Sequence, residues 1–420
     1  MKKLLILGNG VHESFLVDRA HFLGYYTIVT EHSDKKKSSF SAKQCADESW
    51  DISWNDTNRL CEQCKSIGVD GIIAGFSEYK VEALIRLTEK LGLPCYCTMD
   101  QLNVTREKNL FKETCRKYGL PTVPEFVSKT EVTDSDFPVI VKPVDRGGSI
   151  GITTAFNKEE LDKSVEYALS LSDSKQIVIE RFMRDYTKFD VYYLIIDGKY
   201  YYFTSSDTQM HKLNPGTETL QKIWTYPSRF EKSFLKQYDE KIQNMLKGCG
   251  ITRGYITISA FAKGDEFYFF ETGFRFSGEH SFDISEMNIG INYIDYMIAI
   301  AMGEDTSRFK PCYSNKTLYS IVLNYAGNVG KAEKVCGLDK IKSLPCLRSF
   351  VQYKKGGDIV GTGEKPHPRV AMISLCGFDK QQLIDNAHVV MNSYDLIDSV
   401  GESLLLEKPC EENFKCLESI

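Results

Sequence analysis

Lys142 is the side chain in this sequence best placed to meet a phosphate. It closes the apolar run of FPVIVKPVDRGGSIGI (residues 137–152), and Gly147, Gly148, Ser149 and Gly151 follow it. The run Val139 to Val141 reads as a strand, which would hold the lysine at its end as a fixed cation. Glycines have no Cβ, so backbone N–H groups in such a loop can close on anionic oxygens. The chemistry implied is phosphate binding; a plain glycine-rich hairpin turn is the competing reading. A P-loop is excluded, because the lysine precedes the glycines. A dinucleotide fingerprint is excluded too, because no G-x-G-x-x-G opens a helix here.

Several elements must position this segment. The chain has 420 residues, which predicts two or three domains. Its hydrophobic fraction of 42% and charged fraction of 26% are those of a globular protein. A formal net charge of −5 argues against nucleic acid as a partner. No apolar run reaches the length of a membrane span. MKKLLILGNG turns polar too soon for a signal peptide and reads as a first strand. Thirteen cysteines without a zinc-finger spacing predict reduced thiols and a cytoplasmic setting.

Residues 1–104 read as a doubly wound α/β domain, with strands at 4–10 (ending in a glycine turn), 27–31, 46–50 and 68–75 and helices between them. Gly8, Asn9, Gly10, Ser77 and Glu78 would lie at its carboxyl strand edge. Thr105 to Tyr118 and Lys232 to Cys249 each read as one helix. Residues 120–185 form a small α+β lobe around a helix from Lys158 to Leu171. Hairpins turn at Asp197-Gly198 and Gly264-Asp265. From residue 306 short strands and glycine turns predominate, followed by a late helix from Asp379 to Met391.

Taken in order, these pieces resemble the ATP-grasp superfamily, in its biotin-carboxylase-like and carbamoyl-phosphate-synthetase-like branch of carboxylate–amine ligases. The resemblance rests on the helix carrying Lys108 and Lys112 before YGLPTVP, on FPVIVKP, DRGGSIG and IVIERFM, and on the hairpin strand EFYFFETGFR. It implies an N-terminal α/β domain (1–104), a two-lobed ATP-grasp domain (105–305, lid about 120–185) and a β-rich α+β C-terminal domain (306–420). It implies ATP and Mg2+ as cofactors, with Lys108 and Lys142 on the phosphates. Arg146, Gly147, Gly148, Ser149 and Gly151 would form a covering flap. Glu180, Arg181, Phe182 and Met183 would form the adenine hinge. Asp190 would lie near the ribose, with Lys188 as a further polar contact. Glu271 would bind the metal, Arg275 would face the transferring phosphoryl group, and Glu279 with His280 would follow at the substrate. His211 and Lys212 are candidate phosphate or substrate contacts, and Arg369 a candidate from the C-terminal wall.

The sequence also departs from that pattern. Ser259 stands where most relatives carry a second acid, and Gly273 where most carry asparagine. Glu279, Asp283 or Glu286 could supply the missing charge. The expected activity is ATP-dependent joining of a small-molecule carboxylate to an amine through an acyl phosphate, by a protein that pairs as a homodimer. A bicarbonate-activating synthetase and a nucleotide-binding protein without fast turnover are the alternatives. A Gly148→Val substitution is expected to weaken ATP binding or turnover, because its Cβ would block the backbone. Unchanged kinetics would show that this loop does not touch phosphate.

Overall fold

LLIL (4–7) is apolar at every position, a pattern that suits a strand covered on both faces. In the computed structural model, which describes residues 1–32, 41–145, 151–211, 220–361 and 368–418, all four of these side chains are fully buried. They belong to β1 (Lys3–Leu7), which pairs in parallel with β2 (Tyr26–Thr30) and β4 (Gly71–Ala74). β3 (Glu48–Trp50) completes the sheet in the order β3-β2-β1-β4. Helices α1 (Glu13–Phe22), α2 (Thr57–Ile67) and α3 (Glu78–Leu91) connect or follow these strands. Gly71 lets β4 dock on the helix Tyr293–Ala301: a Cβ there would lie 2.5 Å from the Ala301 carbonyl oxygen.

The helix expected over 105–118 is two helices. α4 (Met99–Arg106) ends and α5 (Lys108–Lys117) begins at Glu107, whose ψ of 110° is extended. Thr105 bonds back to the Gln101 and Leu102 carbonyls at 3.0 Å, an arrangement that bends helices. The helix expected over 232–249 likewise breaks at Tyr238, between Glu231–Gln237 and Asp239–Gly248.

The lid is a four-stranded sheet of β5 (Glu125–Phe126), β6 (Val139–Pro143), β7 (Thr153–Ala155) and β8 (Ile177–Arg181), in the order β5-β8-β6-β7. It is backed by α6 (Lys158–Leu171). Below it lies a larger antiparallel sheet. Its strands are β9 (Thr187–Ile196), β10 (Lys199–Met210), β11 (Gln221–Tyr226), β12 (Gly254–Lys263), β13 (Glu266–Gly273) and β14 (Tyr319–Ala326). The strands Arg369–Gly377 and Leu347–Gln352 extend it beyond β14. Asp197 and Gly198 turn β9 into β10, both with positive φ, as a two-residue hairpin of this twist requires. β11 pairs with β14, so one sheet crosses residue 305 without a break.

Three parts of the chain meet at His12, His280 and Tyr353. His12 Nδ1 lies 2.5 Å from His280 Nε2, and the Tyr353 hydroxyl lies 3.1 Å from His12 Nε2. Phe15 and Phe76 pack against the rings. Burial lowers the His12 pKa to about 3, with Arg369 and Lys80 adding repulsion, and burial lowers that of His280 well below its ordinary value. These imidazoles stay neutral in the fold while the unfolded chain would charge them below about pH 6.5. Stability should therefore be full above that pH and fall as the pH drops toward 3. The loss between pH 7 and 5 should be about 2 kcal/mol from His12. Denaturant unfolding at the two pH values, with His12→Gln for comparison, checks this; an equal pH dependence in both proteins would refute it.

Candidate functional site

Lid and sheet enclose a cleft of about 1030 Å³. Ile140 and Lys142 of β6 and the segment Glu180–Met183 line it from the lid side; Phe261, Phe270 and Glu271 line it from the sheet. The rings of Phe261 and Phe270 stack with centroids 4.4 Å apart and give the cleft an apolar floor. A β-bulge between Ser259 and Ala260 brings Phe270 into line with Glu271 on this wall.

The strand-end lysine is held by a carboxylate. Lys142 Nζ lies 2.5 Å from Glu180 Oε2, across the β6–β8 pairing. The other Glu180 oxygen accepts from Lys112, which also reaches Glu125 at 2.6 Å. Burial pushes the Lys142 pKa well below the ordinary lysine value, and the charges of Lys112 and Lys108 push in the same direction. An arriving phosphate would relieve that repulsion.

Beyond Lys188 and Glu271 the cleft adjoins a second cavity of about 190 Å³, lined also by Asp190, Ser259, Arg275, Glu279 and Arg369. Asp190, Ser259 and Glu271 are cross-strand neighbours on β9, β12 and β13. Asp190 is nearly fully buried and saturated. Its oxygens accept from Lys188 at 2.7 and 2.6 Å, from Thr208 at 3.1 Å and from the Ser259 hydroxyl. Arg275 donates to Glu78 of the N-terminal domain at 2.8 Å and lies over Gly273, its Cζ 3.5 Å from where a Cβ would stand. A Cβ at 273 would only make ordinary contact with the guanidinium. The Glu279 carboxyl is buried, and burial with the nearby charge of Asp190 raises its pKa.

Glu180, Arg181, Phe182, Met183, Lys142 and Glu271 therefore share one cleft, while Arg275 and Glu279 share the cavity beside it. Four expected residues, Arg146, Gly147, Gly148 and Ser149, lie outside the described residues, as does Lys212. Other expected residues stand elsewhere in the structure. Asp190 lines the smaller cavity and not the cleft, because its strand position places it beside Ser259. Lys108 lines neither cavity; it opens α5, and the buried lysine is Lys112, one turn on. A Cβ on Gly151 would meet Pro143 at 2.8 Å, so this glycine serves packing on β6. Asp283 and Glu286 line neither cavity; Asp283 lies in the field of Arg348 and Arg19. His280 is occupied at the three-part junction. His211 is buried, with Nε2 3.3 Å from the Asn324 carbonyl oxygen.

Among the cleft residues that sequence reasoning missed, Glu412 and Lys415 come from the far end of the chain. They are brought there by Asn413, which exchanges hydrogen bonds with Gln209 at 2.6 and 2.7 Å, and by the buried Phe414 and Leu417. Only the apolar spacing of Phe414 and Leu417 hinted at docking. Glu271 suits a magnesium ion carried by a nucleotide, since magnesium takes one or two carboxylates plus phosphate oxygens. Among the described residues no cluster of three or more His, Cys, Asp or Glu could hold a metal by itself.

Comparison with known proteins agrees with this geometry. Residues 87–201 match the family model for the D-ala D-ala ligase C-terminus. The D-alanine--D-alanine ligase A of Bacillus cereus is 28% identical over 159 residues, 35% of this chain and 50% of that protein. The matched region spans about half the length of the first curated relatives. The structure of phosphoribosylglycinamide synthetase from Anaerococcus prevotii superposes with a TM-score of 0.73 at 18% identity, over 94% of this chain and 99% of that one. That of an L-amino acid ligase from Bacillus licheniformis gives a TM-score of 0.75 at 17% identity, over 94% and 98%. The fold is that of the ATP-grasp proteins. Within that fold, residues 87–201 carry the sequence likeness to a ligase family. No helix among the described residues is long and apolar enough to cross a membrane.

The two lysines of α5 make separable predictions. Lys112→Met should cost about 3 kcal/mol of stability, because it removes a buried cation between two carboxylates. Lys108→Ala should cost less than about 1 kcal/mol. Denaturant melts of both variants check this, and equal losses would contradict the assignment of Lys112 as the buried partner.

Proposed function

We propose that this protein is an ATP-dependent ligase that activates a small carboxylate as an acyl phosphate and joins it to an amine. The observation that carries this reading is the placement of Lys142 and Glu271 on opposite walls of one cleft, at whose end Arg275 and Arg369 line a second cavity. The nucleotide would lie with its base on the stacked Phe261 and Phe270 and its phosphates toward Lys142. Glu271 would hold the magnesium ion, which would supply positive charge to offset that of the phosphates.

The substrate carboxylate would occupy the smaller cavity, held by the arginines. Its oxygen attacks the γ-phosphorus, the bond to the β-phosphate oxygen breaks, and ADP leaves. Arg275 faces the charge on the transferring group and is held in place by Glu78. The amine then attacks the acyl carbon and phosphate departs with both electrons of the C–O bond. Glu279, with its raised pKa, is placed to accept the proton the amine loses. These residues mainly position reactants and neutralise charge.

A bicarbonate-activating reading would use Glu279 and His280 as a pair. The structure separates them, with Glu279 in the cavity and His280 bonded to His12. ADP release measured with pooled amino acids and small carboxylates tests the ligase reading. ADP formation should require both substrates and fall about a hundredfold or more in Glu271→Ala and Lys142→Ala. Tight ATP binding with no turnover on any pool would sink it and favour a nucleotide-binding role.

A further inference from the structure

The departure at Ser259 has a structural counterpart two residues upstream of its cross-strand neighbour. Asp190, Ser259 and Glu271 form a row across three adjacent strands, spaced about 4.8 Å from one strand to the next. Acids stand at both ends and a neutral hydroxyl in the middle. The outer acid, Asp190, has no coordination left for a metal, since Lys188, Thr208 and Ser259 fill it. Its carboxylate is buried beneath the Lys188 ammonium: the two side chains are 3% and 19% exposed. Lys188 and Asp190 are two apart on one strand and so share a face of the sheet. Lys188 and Glu271 both border the cleft and the smaller cavity.

We infer that the Lys188 ammonium takes the place of a second magnesium ion, as a fixed cation facing the ATP phosphates. This rests on the reading that ATP occupies the larger cleft. Charge balance favours it. Replacing an acid by Ser259 removes one negative charge, and replacing a divalent ion by an ammonium removes one positive charge, so the net charge of the site is preserved. Geometry favours it as well. An ammonium has three N–H donors, and Asp190 cannot use all of them, so one remains for a phosphate oxygen. Asp190 acts as the positioning residue that holds the ammonium at the junction of the two cavities. Ser259 completes the device by donating a hydrogen bond to Asp190, where a second carboxylate would repel it.

The test uses the full chain, a non-hydrolysable ATP analogue, adenosine and Mn2+ as the magnetic probe. Calorimetry gives nucleotide affinity, and paramagnetic resonance gives the number of Mn2+ ions per bound analogue. The native chain should hold one Mn2+ per analogue. The Lys188→Ala, Ser259→Asp double variant should hold two. Lys188→Ala alone should weaken the analogue about tenfold and leave adenosine affinity unchanged, while Lys188→Arg keeps most of the analogue affinity. Two Mn2+ ions in the native chain, or one in the double variant, would overturn the inference. Equal losses for the analogue and adenosine in Lys188→Ala would assign Lys188 to the ribose and overturn it too, as would an unchanged analogue affinity. A native chain that binds no analogue would refute the ATP-binding reading itself, a separate and recognisable failure.

Discussion

The pairing of Glu180 with both Lys112 and Lys142 is the interaction on which the site depends. Three charges sit in a nearly dry place, where an unpartnered ion costs several kcal/mol. Lys112 comes from α5, Glu180 from β8 and Lys142 from β6. Their contact ties the lid to the helix beneath it and fixes the direction of the strand-end cation. The arrangement is poorly balanced by itself, since two ammonium groups share one carboxylate and Glu125 only partly offsets them. Burial first, and then the charges of Lys112 and Lys108, depress the Lys142 pKa. A site in this state attracts a polyanion.

The opposite wall obeys a different constraint, the register of an antiparallel sheet. Cross-strand neighbours share a face, so β9, β12 and β13 must present Asp190, Ser259 and Glu271 in one row. The bulge after Ser259 lets Glu271 keep that row while Phe270 joins the cleft floor. The Arg275 guanidinium lies over Gly273 and is held by Glu78 of another domain. The sheet thus makes the two departures from the usual ligand pattern part of one arrangement of charge.

Much of this was legible in the chain because periodicity and turn chemistry are local. LLIL, the Asp197-Gly198 turn, the helix from Lys158 to Leu171 and the strand ending in Lys142 all stand where local patterns predict. The break at Glu107 was not legible, since TREKNLFKETCRKY reads as one continuous helix. Its bend follows from the Thr105 hydroxyl bonding back to the Gln101 and Leu102 carbonyls. Nor could local pattern show that Lys112, and not Lys108, is the buried lysine. Each lies on the same helix, and only the position of Glu180 separates them. The two cleft residues near the chain end, Glu412 and Lys415, required a contact with Gln209 some two hundred residues away.

By itself the sequence determined the kinds of element, the order of the motifs and the supply of chemistry: a strand-end lysine, a glycine loop, a late glutamate and an arginine four residues on. These follow from short-range sterics and from hydrophobic periodicity, which act between residues close in the chain. Tertiary structure alone decided which charges meet. It set Lys188 over Asp190 beside Ser259, turned His280 toward His12, and returned the chain end to the cleft. Coulomb energy and desolvation depend on distance and burial, and neither is written in the order of the residues.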